Sequence, residues 1–173
     1  MKLAVVILAA GQGSRMHSAT PKVLHKIAGL PLLHHVISAA RGMQPEQIIV
    51  VHGHAGDKVQ AAFPEPDLIW VEQAEQKGTG DAVRCALPKL AAQIERVLVL
   101  YGDVPLIQPD TLKNLLEKST HGLGLLTLTL DDPNGYGRIK RDMAGSKRVL
   151  GIVEQKDATP DELKINEVNT GIM

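Results

Sequence analysis

The sequence predicts an α/β fold: a doubly wound, mostly parallel sheet with a small antiparallel excursion. Three observations predict it. Charge-free apolar runs recur at residues 3–8, 48–51, 68–71 and 97–100. Segments with apolar residues at helical spacing separate them. The aromatic share is only 2%, so the core must be built from Val, Ile, Leu and Ala. Consecutive apolar residues suit strands covered on both faces, as when helices flank a parallel sheet. At 173 residues, 44% hydrophobic and 22% charged, the chain suits one globular domain.

Residues 3–8 form the first strand and run into a Gly-rich segment. Pro31 can open a helix, because proline lacks the N–H that a first turn leaves unpaired, and Leu32, Leu33, Val36, Ile37 and Ala40 follow at helical spacing. Residues 48–51 are the second strand, 57–63 a short helix and 68–71 the third strand. Residues 80–87 read as helix and 97–100 as the fourth strand. A helix with Pro109 at its start covers 109–118, and 124–130 is a strand. The pattern then changes: Asp131, Asp132, Pro133, Asn134 and Gly135 make a turn, and 138–140 and 149–153 read as antiparallel strands. Doubly wound sheets bind ligands at the carboxyl ends of their strands. The segments after Leu8, Val71 and Leu100 therefore share one functional rim.

Net charge is zero but unevenly spread. Residues 1–45 contain no Asp or Glu, yet carry Lys2, Arg15, Lys22, Lys26 and Arg41. This suits an anion site, or helix surfaces that happen to carry cations. The single cysteine, Cys85, excludes a disulfide framework and a Cys-based zinc cluster. Four aromatics are too few for the stacking platforms of single-stranded nucleic-acid binders. The apolar start leads into Gly11 rather than a cleavage site, and no apolar run reaches membrane-spanning length. A cytoplasmic protein with no membrane span and no nucleic-acid partner is expected. The last residues, Asn169, Thr170, Gly171, Ile172 and Met173, read as an interrupted apolar segment, so the domain is expected to be incomplete at its C-terminus.

The stretch from Leu8 to Met16 admits three readings. A dinucleotide fingerprint wants a third Gly where Met16 stands, and an acid about twenty residues on, where none occurs before Glu46. A Walker-type loop wants a Gly-Lys-Ser/Thr ending, which is missing. The third reading is a triphosphate loop. Gly11 and Gly13 let the backbone approach a ligand, Arg15 presents a planar charged fork, and Lys22 adds a point charge. An ordinary strand-to-helix turn with surface cations remains the plain alternative.

Leu8-Ala9-Ala10-Gly11-x-Gly13-Ser14-Arg15-Met16 with Pro21-Lys22 resembles the signature of the sugar-phosphate nucleotidyltransferases. Pro21-Lys22-Val23-Leu24-His25 is similar to one branch, the bifunctional N-acetylglucosamine-1-phosphate uridyltransferases. The segments 73–80, 101–106, 132–139, 151–158 and 169–171 resemble the same branch in the same order. The resemblance implies a Rossmann-like nucleotide-diphospho-sugar transferase fold. It also implies transfer of UMP from UTP to N-acetylglucosamine 1-phosphate, giving UDP-N-acetylglucosamine and pyrophosphate with Mg2+ for cell-wall precursors. It makes Arg15, Lys22 and Asp103 catalytic, with Asp103 the metal ligand. Leu8, Ala9, Ala10, Gly11, Lys22, Gln73, Gly78 and Thr79 would bind nucleotide, Gln73 and Gly78 reading uracil. Tyr101, Gly102, Asp103, Gly137, Glu154 and Asn169 would bind substrate. A second metal ligand, an Asn, and a left-handed β-helix acetyltransferase domain that assembles a homotrimer would lie outside this chain.

Taken without the resemblance, Asp103 also reads as a helix cap or turn residue, and Gln73 as a solvent-facing strand end. His52 and His54 could share a strand face, but no carboxylate or Cys partner stands at zinc spacing. His34 and His35, adjacent in a helix, read as structural. A related nucleotidyltransferase for another base or sugar, or a chain that binds nucleotide sugar without turnover, are the competing functions.

Overall fold

The computed structural model describes residues 1–173 apart from 12, 14, 15, 17, 54, 120, 121 and 143–147. The chain divides into two compact units, Met1–Thr120 and His121–Met173.

The first unit opens with β1, Leu3–Ala9, all seven residues of which are buried. A strand without a polar side chain holds its place only when covered on both faces. A 3-10 turn at Lys22–Leu24 leads into two short antiparallel strands, β2 (Lys26–Ile27) and β3 (Leu30–Pro31). Helix α1 spans Leu32–Arg41, with Pro31 as its N-cap and Leu33, Val36, Ile37, Ala39 and Ala40 buried. Strand β4 (Gln47–His52), helix α2 (Gly56–Ala61), strand β5 (Leu68–Glu72) and helix α3 (Thr79–Ala86) follow. A 3-10 turn at Leu87–Lys89, strand β6 (Arg96–Tyr101) and helix α4 (Pro109–Lys118) complete the unit.

The sheet order is β5-β4-β1-β6, and every neighbouring pair is parallel. Leu8 stands opposite Val51 on one side and Tyr101 on the other. The chain winds outward from β1 through β4 to β5, then crosses to the far side of β1 for β6. Winding direction therefore reverses between β1 and β6, which opens a crevice at their carboxyl ends. The fold is the expected doubly wound α/β sheet.

The second unit carries β7 (Thr127–Thr129), β8 (Arg138–Arg141), β9 (Val149–Val153) and β10 (Glu167–Asn169). Their order is β7-β10-β8-β9, all antiparallel, with an irregularity between Lys140 and Arg141. Strand β10 escapes the sequence reading: with three residues and only Val168 buried, it is too short to show alternation. The strand expected over 124–130 is shorter, although single bonds from Leu126 N to Ile172 O and Leu130 N to Asn166 O carry the pairing past its ends. Glu167 ties three strands together, accepting from Arg141 Nε and a second Arg141 nitrogen at 2.6 Å each and from Thr127 Oγ1 at 2.7 Å. No helix among the described residues is long and apolar enough to cross a membrane.

Candidate functional site

A cleft of about 340 Å³ lies in the first unit at the carboxyl ends of β1, β5 and β6. That volume is within the range of small-molecule sites, roughly 300–1,000 Å³. All eight residues expected to bind nucleotide line it: Leu8, Ala9, Ala10, Gly11, Lys22, Gln73, Gly78 and Thr79. Tyr101 and Asp103 line it too, and so do Val23, Gln76 and Ala82, which sequence reasoning had not singled out. The first turn of α3 forms one wall, so backbone N–H groups and the positive end of the helix border the cleft, an arrangement that favours anions.

Lys22 and Asp103 meet inside it. Lys22 Nζ donates to Asp103 Oδ2 at 2.5 Å, and the two side chains are 38% and 27% exposed. Lys22 is brought there by the 3-10 turn that follows the Gly-rich segment, and Asp103 by the exit from β6. Gly13 lets the Gly-rich segment pack against Lys22: its φ is +60°, and a β-carbon there would lie 2.8 Å from Lys22 Cβ. Arg15 lies outside the described residues.

Gln73 is 3% exposed rather than a solvent-facing strand end. Its backbone N–H donates to His52 O at 2.8 Å, which pins it to the rim of β4. Its Nε2 donates to Gly78 O at 3.1 Å and to Asp81 Oδ2 at 2.9 Å. Asp81 Oδ1 in turn accepts from an Arg84 guanidinium nitrogen at 2.5 Å. The Gln73 bond and then Arg84 hold the Asp81 carboxyl below the usual carboxylate range. An amide that could both donate and accept is thus reduced to an acceptor, since both Nε2 protons are committed. Gln76 Nε2 donates to Ala10 O at 2.9 Å, fastening the segment after β5 to the Gly-rich one. Gly53 makes room: a β-carbon there would lie 2.8 Å from both Ala10 O and Gln76 Nε2.

Gly102 lies beneath the cleft, not on its lining. Its N–H donates to Leu8 O at 2.9 Å, and a β-carbon would crowd Val23, Ala9 and Leu33 at 3.2–3.3 Å. His52 is buried and bonded to Gln60 at 2.8 Å, and His54 lies outside the described residues. His35 Nε2 reaches Ile27 O at 3.0 Å, joining α1 to β2.

In the second unit, Gly137, Glu154 and Asn169 come together. Asn169 N donates to Gly137 O at 2.8 Å, and a β-carbon on Gly137 would lie 3.3 Å from Glu154 Oε1. Asn169 Oδ1 accepts from Gly171 N at 2.9 Å, which turns its amide nitrogen into the donor left over. Glu154 is exposed, and a carboxylate acceptor and an amide donor are both groups that suit the hydroxyls and amides of a sugar derivative.

Three comparisons bear on these sites. Residues 5–135 match the MobA-like NTP transferase domain. The chain is 59% identical over 170 residues to the Bifunctional protein GlmU of Burkholderia multivorans, covering 98% of this chain and 37% of that protein. It is 56% identical to the GlmU of Alcanivorax borkumensis, covering 100% of this chain and 38% of the relative. The chain therefore spans well under half the length of these relatives. Among solved structures, one described as a glucose-1-phosphate thymidylyltransferase from Bacillus anthracis with sucrose matches at TM-score 0.74 and 21% identity, over 98% of this chain and 70% of that one. At that identity the likeness is one of fold. Rv0371c of Mycobacterium tuberculosis, in complex with manganese, matches at TM-score 0.54 and 26% identity, over 68% of this chain and 59% of its own. The parallel sheet, the cleft at its switch point and the match over residues 5–135 agree: the chain belongs to the MobA-like NTP transferase domain family.

Proposed function

We propose that residues 1–173 form part of a uridyltransferase domain that transfers UMP from UTP to N-acetylglucosamine 1-phosphate, releasing pyrophosphate. The observation that carries this reading is the cleft, where all eight expected nucleotide residues, Tyr101 and Asp103 share one lining at the reversal of winding. Identity to GlmU proteins across almost the whole chain supports it.

The acceptor's phosphate oxygen is ionised at neutral pH, so the protein needs no strong base. It must position two polyanions and offset their charge. In this reading Lys22 leaves Asp103 and stabilises charge developing at the α-phosphate, while Arg15 holds the outgoing pyrophosphate. Gln73 and Gly78 meet the base, and Thr79, with the start of α3, lies along the nucleotide. Gly137, Glu154 and Asn169 hold the sugar and its acetamido group. Tyr101 and Gly102 set the path of the chain into Asp103.

Asp103 fits a hard divalent cation: it is a partly exposed carboxylate oxygen donor, and Mg2+ is commonly held by one or two carboxylates together with substrate phosphates. The manganese complex of Rv0371c supports divalent-metal use. When bound, the ion would neutralise phosphate charge. Supply of cell-wall precursors, a cytoplasmic location and a trimer formed through segments outside these residues belong to the same reading.

The test is pyrophosphate release with N-acetylglucosamine 1-phosphate and Mg2+, using UTP, CTP, GTP and ATP in turn. Release should require UTP. Faster release with any other nucleotide would overturn the substrate assignment.

A further inference from the structure

We propose that Asp81 is a positioning residue that sets the base preference of the cleft by fixing which atom of the Gln73 amide faces the base; this rests on the reading that Gln73 meets the base. A glutamine amide has two orientations that exchange oxygen and nitrogen. At Gln73 the side chain is 3% exposed, so solvent does not level the difference between them. Two acceptors flank it, Gly78 O at 3.1 Å and Asp81 Oδ2 at 2.9 Å. The turned orientation would set the amide oxygen against a carbonyl and a carboxylate, leaving acceptors without donors. The carboxylate dominates, because charged hydrogen bonds are the stronger ones.

The amide oxygen is therefore what remains for a ligand. Uracil carries N3–H, a donor, whereas cytosine N3 is an acceptor. An oxygen locked in place favours the first and opposes the second. Asp81 does not line the cleft, so it acts through Gln73. Arg84 completes the arrangement by occupying the other oxygen, Asp81 Oδ1, from a side chain that is 74% exposed.

Asp81→Asn separates these roles. The variant offers one oxygen and one NH2. Arg84 can only donate, so it claims the oxygen, and the NH2 is left facing Gln73. That favours the turned orientation, which the carbonyl of Gly78 still resists. Calorimetric titration of the chain with UTP and with CTP, both with Mg2+, reads the outcome without needing turnover. The UTP-over-CTP preference should narrow by about tenfold, from weaker UTP and tighter CTP binding together. Adding Arg84→Ala should restore much of the preference, because the new side-chain oxygen can then turn to Gln73. Combining Asp81→Asn with Gln73→Ala should change the ratio no further than Gln73→Ala alone. If Gln73→Ala narrows the preference and Asp81→Asn leaves it unchanged, or weakens both nucleotides equally, the positioning role is overturned. If Gln73→Ala itself leaves the ratio untouched, the base-reading assignment fails, and this inference with it.

Discussion

Lys22 and Asp103 hold opposite charges 2.5 Å apart in the cleft. Pairs this exposed are worth only about 0–1 kcal/mol. The attraction of Lys22 for a triphosphate, and of Asp103 for a divalent ion, can each exceed that. The pair therefore keeps both side chains in place without locking them to each other. Asp103→Asn should separate binding from turnover. Pyrophosphate release should fall by about 100-fold or more, as when a preorganised electrostatic contact to a transition state is lost. Metal-free UTP affinity should hold or improve, because Lys22 is released from its partner. Near wild-type release at saturating Mg2+ would sink the assignment of Asp103.

At the scale of elements, much was legible because long apolar runs declare themselves. Residues 3–8, 48–51, 68–71 and 97–100 all lie within observed strands, and Pro31 and Pro109 mark helix starts as expected. The hairpin of β2 and β3 was not legible, since two-residue strands with mostly exposed side chains carry no period. Helix α2, at Gly56–Ala61, is shorter than the expected 57–63. Lining residues after β1, β5 and β6 followed from strand order and motif. The Asp81 contact did not, because an acid in a helix's first turn is explained equally well by the helix dipole. The position of Gly53 makes a prediction of its own. Gly53→Ala would drive a methyl into Ala10 O and Gln76 Nε2, breaking the bond that fastens the Gly-rich segment. Losing one such bond corresponds to roughly 2–10-fold weaker UTP binding. Titration beside circular dichroism tests this; full affinity with an unchanged fold would count against it.

Across the whole molecule, carboxyls held below their ordinary range stand in both units, Asp67 and Asp81 in the first and Glu162 and Glu167 in the second, so both lose stability in acid. Glu162 is held at about 2, against an ordinary value of 4.5, chiefly by Lys140 and then by the backbone N–H and hydroxyl of Thr159. Arg141 lowers Glu167 in the same direction. A carboxyl whose folded value lies below its unfolded one adds stability that is present above about 4.5 and is lost as pH falls toward about 2. Melting temperatures of the wild type and Glu162→Gln should therefore differ most near neutral pH and converge as pH approaches 2. A gap that stayed constant through that window would show that Glu162 contributes nothing through its charge.

The central place of β1 also governs how the chain comes into being. Leu3 pairs with Arg96, which leaves the ribosome roughly ninety residues later. At 5–20 residues per second, β1 waits on the order of 5–20 s for its second neighbour. During that time seven consecutive uncharged residues stand with an open edge, the composition that self-associates most readily. Synthesis rate and chaperone access thus bear on the yield of this chain more than on its final stability.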